Sequence, residues 1–402
     1  MKNNVLIVSH AMEIGGAEKA LLGLLESFDY KKWEVDLFLF HHSGELFELI
    51  PSQVNILPEK NDYSCMAVPI KKVLREKQFR IAGGRAVGKI IAKIQEKRKR
   101  LSSDNDLALE YSHKYTWKYM SEISLKSYDL AISFLTPHYY TLNKVKAKKK
   151  IAWIHTDYST IQIDTQSQIK MWQGYDYIAS ISEEVTRSFL KIFPEFKDKI
   201  ILFPNIIPLK YLLSKVNEFP ANKEMIDTGD IKILSIGRFC YAKNFDSVPA
   251  IANELKNKGL KFTWYLIGFG SDEDLIKEKI HDFNVENDVL ILGKKSNPYP
   301  YIKECDLYVQ PSRYEGKCVS VIEAQILHKP VVITNYPTAF SQLSDGIDGI
   351  IVPQDIIKCS DEIYNLVNDQ DRLKAIISGT FEKDYSNTSN IKILEMIVNG
   401  EI

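Results

Sequence analysis

Short, mainly apolar runs rich in Val and Ile recur along the chain, each followed by a longer helical pattern, and this alternation constrains the fold more than any other feature. In the first half the runs are Val5 to Val8, Val35 to Phe40, Leu130 to Phe134, Ile151 to Ile154, Tyr177 to Ile181 and Ile200 to Phe203. In the second half they are Ile231 to Ile236, Phe262 to Ile267, Val289 to Leu292, Leu307 to Gln310, Val331 to Thr334 and Gly349 to Val352. A run that is apolar at successive positions, rather than at every second one, reads as a strand buried on both faces. Strands alternating with helices build right-handed βαβ units and parallel sheets. The expected class is therefore α/β, with two doubly wound Rossmann-like domains. The break between the two sets runs from Pro204 to Asp230, is punctuated by Pro204, Pro208 and Pro220, and turns polar from Glu218 to Gly229. Domains are expected over residues 1–210 and 211–402, and the apolar tail helix from Ile391 to Val398 can pack on either of them.

The bulk numbers exclude several function classes. A length of 402 residues with 45% hydrophobic side chains suits two ordinary cores. Lys plus Arg and Asp plus Glu are 52 each, and this neutral total argues against a nucleic-acid partner. Cys65, Cys240, Cys305, Cys318 and Cys359 form neither a C-x-x-C pair nor a Cys/His ligand spacing. They read as free thiols in a reducing compartment, with no structural metal. The apolar run at the N-terminus is too short for a signal-peptide core, and no run approaches the roughly 18 apolar residues of a membrane span. The expected location is cytoplasmic, with contact to a membrane surface left open.

One segment stands out in charge. Residues 69–100 carry twelve Lys or Arg against Glu76 and Glu96, and Val73, Ile81, Val87, Ile90, Ile91 and Ile94 are expected on one helical side. Such a helix reads either as a surface for anionic lipid or phosphate, or as a solvated helix with a core-facing stripe.

Four segments carry chemistry. The strand ending at Gln310 leads through Pro311 and Ser312 to Glu315 and Gly316, and then into a helix that carries Glu323. Ligands of open parallel sheets bind beyond the carboxyl ends of the strands, which places Glu315 at that edge. Backbone N–H groups from Cys318 through Val319 to Ser320 are expected free at the helix start, as a phosphate or a polyol needs. Lys317 sits in the same loop. Two carboxylates here accept hydrogen bonds from sugar hydroxyls, although acidic residues near a helix start also serve the dipole alone. The strand ending at Ile236 runs into Gly237 and Arg238, with Lys243 five residues on, and two cations there can bind a diphosphate and stabilise it as it leaves. Gly15 and Gly16 open a helix after the first strand, in neither the G-x-G-x-x-G nor the P-loop pattern. His155 and Asp157 end a strand in the first half, where an imidazole can bond a sugar hydroxyl or act in acid–base chemistry. Gly268 and Gly270 end another strand, either to admit a ligand or to make a tight turn.

Taken together, Gly15-Gly16, the Trp153-Ile154-His155 segment, Ser180 to Ser182, Pro204-Asn205, Gly237-Arg238 with Lys243-Asn244, Gly268 with Gly270, and Glu315 through Glu323 resemble, in order, the retaining GT-B glycosyltransferases. That family includes bacterial polysaccharide and lipopolysaccharide sugar transferases. The resemblance covers nearly the whole chain, and the Glu-x7-Glu element is its most specific part. It implies two domains whose sheets face a cleft, with a nucleotide-sugar donor, UDP-linked by family habit, held mainly by the second. It implies that Arg238 and Lys243 hold the diphosphate, Glu323 the ribose and Glu315 the donor sugar. Gly16 would close over the phosphates, and His155 would meet the sugar near its anomeric carbon. Catalysis is expected to be metal-independent and without a cofactor. Family members acting on lipid-linked acceptors carry basic, apolar patches on the first domain, so the resemblance implies a saccharide acceptor on a lipid diphosphate, reached through residues 69–100. Lys317-Cys318 departs from the usual aromatic-Pro pair. Ile206-Ile207 follows Pro204-Asn205 where Gly and an acidic residue are usual. A non-catalytic nucleotide-sugar-binding or partner-binding GT-B protein and a GT-B enzyme using phosphate are the competing readings. An epimerase or dehydrogenase lacks its cofactor fingerprint here.

Overall fold

The computed structural model of the chain describes residues 2–13, 15–66, 68–99, 107–159, 161–226, 229–315 and 317–402. Arg100 and Gly316, singled out above, lie outside the described residues.

The first unit comprises Met1–Ile206 together with Asn387–Ile402. Its strands are β1 (Asn3–Ser9), β2 (Trp33–Leu39), β3 (Asn55–Ile56), β4 (Ser127–Ser133), β5 (Lys146–Ile154), β6 (Tyr177–Ser180) and β7 (Ile200–Leu202). They pair in parallel in the order β3-β2-β1-β4-β5-β6-β7. The second unit, Ile207–Ser386, holds β8 (Ile231–Ile236), β9 (Phe262–Ile267), β10 (Val289–Gly293), β11 (Leu307–Gln310), β12 (Val331–Thr334) and β13 (Ile350–Val352). These are parallel as well, in the order β10-β9-β8-β11-β12-β13. Each apolar run of the sequence is one of these strands. The short edge strand β3 has no such run, because its Asn55 is exposed and only Ile56 is apolar.

In both sheets the direction of winding reverses once, between β1 and β4 in the first and between β8 and β11 in the second. A crevice opens at the carboxyl ends of the strands where that reversal occurs, and ligands of such sheets bind there. The central strands owe their place to burial. Val5, Leu6 and Ile7 of β1 are fully buried, as are Ile233 and Leu234 of β8. Trp264 on β9 is buried with its indole N–H donating to the Ser235 hydroxyl at 2.9 Å. That bond satisfies the polar edge of an otherwise apolar ring.

The chain divides at Ile206, a few residues from the expected boundary at residue 210, and of the two places open to the tail it takes the first unit, so Asn387–Ile402 lie apart from the second. The tail helix Ile391–Asn399 buries Leu394 and Ile397, and its flanks are tied by Asn387 and Asn390 side chains donating to the carbonyls of Asn205 and Pro204. Tyr177 donates to the Ile402 carbonyl at 2.6 Å.

The basic helix Phe79–Lys99 does not carry its apolar residues on one side. The buried face is made of Ile81, Ala82, Gly84, Arg85, Gly88 and Ala92. Gly88 is required there, since a Cβ would come within 2.7 Å of the Tyr111 and Ser112 backbone in the neighbouring helix Leu107–Thr116. Phe79, Val87, Ile90 and Ile94 point outward, 65%, 45%, 60% and 56% exposed. Small residues let two helices approach closely, so the larger apolar ones are left on the far side.

Candidate functional site

The second sheet's reversal point is where the sequence-predicted donor residues meet. Lys243 follows β8 and Glu315 follows β11. Lys243 Nζ lies 2.5 Å from Glu315 Oε1, with 19% and 11% of the two side chains exposed. The lysine stem crosses Gly237, where an added Cβ would meet Lys243 Cδ and Cε at 3.3 Å. Burial disfavours the ammonium, but the Cys318 sulfur and the Glu315 carboxylate outweigh it and hold the Lys243 pKa above its ordinary value. Lys243 is therefore a fixed cation at every physiological pH.

Residues without a local sequence signal hold this pair in place. Ser312 donates to Glu315 Oε1 at 2.7 Å and accepts from Gln310 Nε2 at 2.9 Å. Thr338 donates to the Glu315 carbonyl at 2.8 Å. Arg313 makes a two-pronged pair with Asp246, at 2.9 and 2.8 Å, and its guanidinium lies 4.2 Å from the Tyr241 ring centroid. Burial works to raise the Asp246 carboxyl, while Arg313 and Lys279 overcome it and keep the carboxyl below the usual range. The Arg313 backbone N–H donates to Ala242 and the Asn244 side chain to Pro311, so the loops after β8 and β11 are stitched together. Asn244 takes the left-handed conformation, φ +58°, that short amide side chains tolerate.

The helix Val319–Ile326 starts directly beyond Glu315. Its cap residue Cys318 is buried, with Sγ 3.6 Å from Lys243 Nζ and 3.3 Å from Ser320 Oγ. The expected free N–H at Cys318 is not free: it donates to Gln342 Oε1 at 2.8 Å. Val319 and Ser320 occupy the first turn, which leaves their N–H groups without intrahelical acceptors. Glu323 is 3% exposed and accepts from the Tyr299 hydroxyl at 2.9 Å. Arg238 is exposed and makes no ion pair with a described residue, and Lys317 is exposed. Gly268 faces the β8 turn so closely that a Cβ would stand 1.9 Å from the Gly237 carbonyl oxygen, and glycine is obligatory there.

The remaining predicted residues lie in the first unit. Gly15 caps the helix Gly16–Ser27 with no side-chain cap, and a Cβ on it would strike Glu18 Oε2 at 2.2 Å. The positive helix end is thus already met by the chain's own carboxylate. His155 follows β5 and packs against Phe134 and Trp153, with ring centroids 4.7 and 6.3 Å away, and neither ring nitrogen has a described partner. Burial pulls its pKa down to about 4, so it is neutral at pH 7. Sequence reasoning missed His10, His113 and His138, which gather near the same sheet edge. Among the described residues, no three His, Cys, Asp or Glu side chains are grouped to hold a metal ion.

The C-terminal half matches the family "Glycosyl transferases group 1" over residues 217–383, a stretch that contains Arg238, Lys243, Gly268, Glu315 and Glu323. Residues 217–383 are a glycosyl transferases group 1 domain. Over 168 residues the chain is 30% identical to the poly(ribitol-phosphate) alpha-N-acetylglucosaminyltransferase of Staphylococcus aureus, covering 41% of this chain and 34% of the relative. Over 152 residues it is 32% identical to the N-acetylgalactosamine-N,N'-diacetylbacillosaminyl-diphospho-undecaprenol 4-alpha-N-acetylgalactosaminyltransferase of Campylobacter jejuni, covering 38% of this chain and 39% of the relative. The chain thus spans well under half the length of these curated relatives. The crystal structure of HepE from Anabaena in complex with UDP superposes over 100% of both chains, with a TM-score of 0.64 at 14% identity. At that identity the likeness carries the fold, which is GT-B. Within the group 1 domain, the Lys243–Glu315 pair and the start of the helix that carries Glu323 are the polar features at the sheet's reversal point.

Proposed function

We propose that the protein is a retaining glycosyltransferase, moving a hexosyl or N-acetylhexosaminyl group from a UDP-linked sugar to a lipid-linked saccharide in surface polysaccharide synthesis. The observation that carries this reading is the fixed Lys243 cation, braced by Glu315 and set beside the Val319–Ile326 helix start at the reversal point of the group 1 domain. In the reaction the bond between the anomeric carbon and the diphosphate oxygen breaks, and its electron pair leaves with UDP. The acceptor hydroxyl oxygen forms the new bond with the anomeric configuration retained, and its proton passes to the departing diphosphate oxygen. Lys243 and Arg238, with the N–H groups of Val319 and Ser320, neutralise the diphosphate as charge builds on it. Gly268 keeps the adjoining turn clear. Lys317 and Cys318 line the loop beside it, and Glu315 faces the donor sugar. Glu323 receives the ribose hydroxyls. His155, neutral at pH 7, donates to or accepts from a sugar hydroxyl, and Gly15 and Gly16 give close backbone approach on the first unit. With these cations in place the reading requires no metal. Incubating purified protein with a panel of nucleotide sugars, with and without EDTA, tests it. Turnover of a UDP-sugar that survives EDTA supports it, and absence of binding to every nucleotide sugar overturns it in favour of a GT-B protein with another ligand.

The lipid-linked acceptor rests on the outward stripe Phe79, Val87, Ile90 and Ile94, flanked by Arg80, Lys89, Lys93 and Lys97. Among the described residues no helix is long and apolar enough to cross a membrane. An interfacial helix gains about 1.5–3 kcal/mol per buried aliphatic side chain and about 1 kcal/mol per Lys or Arg near an anionic leaflet. Replacing Ile90 and Ile94 together by Asp is expected to lower binding to vesicles containing phosphatidylglycerol at least tenfold in a flotation assay, with Tm unchanged. Equal flotation of the double variant would remove the membrane from the proposal.

A further inference from the structure

The first unit has a cavity of its own, about 320 Å³, beyond the carboxyl ends of β1 and β2. His10 follows β1 and enters the lining together with Glu13, Glu18, Phe40, Met66 and His113. That volume lies at the lower end of the roughly 300–1,000 Å³ of small-ligand sites. We propose that this cavity takes a single uncharged, hydroxyl-rich sugar unit and rejects sugars that carry a carboxylate or a phosphate.

Three observations carry this. Among the described residues that line the cavity, none is Lys or Arg, while Glu13 and Glu18 bring two carboxylates to it. Carboxylates accept hydrogen bonds from hydroxyls and repel anions. Second, His113 is 2% exposed and its Nδ1 has no hydrogen-bond partner, a buried polar atom in the cavity wall that a ligand hydroxyl would satisfy. Third, Phe40, Met66 and Leu109 supply an apolar wall for the C–H face of a sugar ring, and the His10 ring packs 4.8 Å from Phe40.

The charges around the cavity agree. Burial lowers the His10 pKa to about 4 and that of His113 well below its ordinary value, so both imidazoles are neutral and can donate and accept. His41 also lines the cavity, and its Nδ1 lies 3.6 Å from Glu59, a carboxylate that meets any charge it carries. Arg85, close to His113, donates from Nη1 to the carbonyls of Cys65 and Val68 at 2.5 and 2.6 Å, and its Nε has no described partner. The start of the helix Gly16–Ser27, otherwise an anion site, is faced by Glu18.

This inference concerns the first unit alone and adds an acceptor class to the proposed reaction. Saturation-transfer NMR on the full chain tests it with four probes: methyl glucoside, methyl N-acetylglucosaminide, methyl glucuronide and glucose 6-phosphate. At least one of the two neutral glycosides is expected to bind at least tenfold more tightly than both anions. Ala11→Trp, which fills the cavity, and His10→Phe, which keeps the ring but loses its nitrogens, are expected to weaken that binding at least tenfold. Both variants should keep Tm and UDP binding to the second unit. Equal binding of glucuronide, neutral binding insensitive to both variants, or no neutral binding by a protein that binds UDP would each overturn the inference while leaving the donor site standing. Loss of UDP binding by the wild type would instead sink the transferase reading.

Discussion

Lys243→Ala is expected to lower turnover of a UDP-sugar by at least about 100-fold, the scale on which removal of one preorganised charge-stabilising donor acts. Lys243 is held within 2.5 Å of Glu315 before any ligand arrives, so no reorganisation precedes its contact with the diphosphate. The same substitution strands Glu315 with little solvent. Breaking a fully buried pair costs about 3–5 kcal/mol, and with 19% and 11% of these side chains exposed a loss on the order of 2 kcal/mol is expected. Stability and catalysis can then be separated. The double variant Lys243→Met with Glu315→Gln removes both charges and should recover most of the lost stability in a urea titration, with turnover still absent. Recovery of turnover by the double variant would show that Lys243 acts only on the fold. Near-wild-type turnover by Lys243→Ala alone would place the diphosphate elsewhere.

The second large effect is acid lability of the first unit. Burial depresses the pKa of His10 to about 4, of His138 to about 3 and of His155 to about 4, and it lowers that of His113 well below its ordinary value. Between roughly pH 6.5 and 4 the unfolded chain takes up protons that the folded unit refuses. The stabilisation is thus complete above the unfolded pKa and disappears as pH falls toward the folded values, at about 1.4 kcal/mol per pH unit for each histidine. Trp33, Trp117, Trp153 and Trp172 lie in the first unit and only Trp264 in the second, so tryptophan fluorescence follows mainly this transition. Urea midpoints are expected to drop steeply from pH 7 to pH 5. His155→Phe keeps the packing against Phe134 and Trp153 and should flatten that slope by one proton's worth. An unchanged slope would mean that His155 is protonated in the folded unit.

Much of this protein was determined locally, in the order of its residues. Short, mainly apolar runs such as Val5 to Val8 and Ile231 to Ile236, each followed by a helical pattern, fit strands buried on both faces of parallel sheets, so fold class and the approximate break were legible. Strand ends are local as well, which is why the residue order alone puts Lys243 and Glu315 at a ligand-binding edge. What joins distant segments was not local. Gln342 capping the Cys318 N–H, Tyr299 bonding Glu323 and Asp246 clasping Arg313 are meetings of residues from different βα units, with no periodicity to announce them. The direction of the Phe79–Lys99 helix depended on Gly84 and Gly88 fitting the Leu107–Thr116 helix, a contact that outweighed the pull of larger apolar side chains. The tail's return to the first unit, and the grouping of His10 and His113 around one cavity, were decided by tertiary packing alone, because burial and charge environment are properties of neighbours in space.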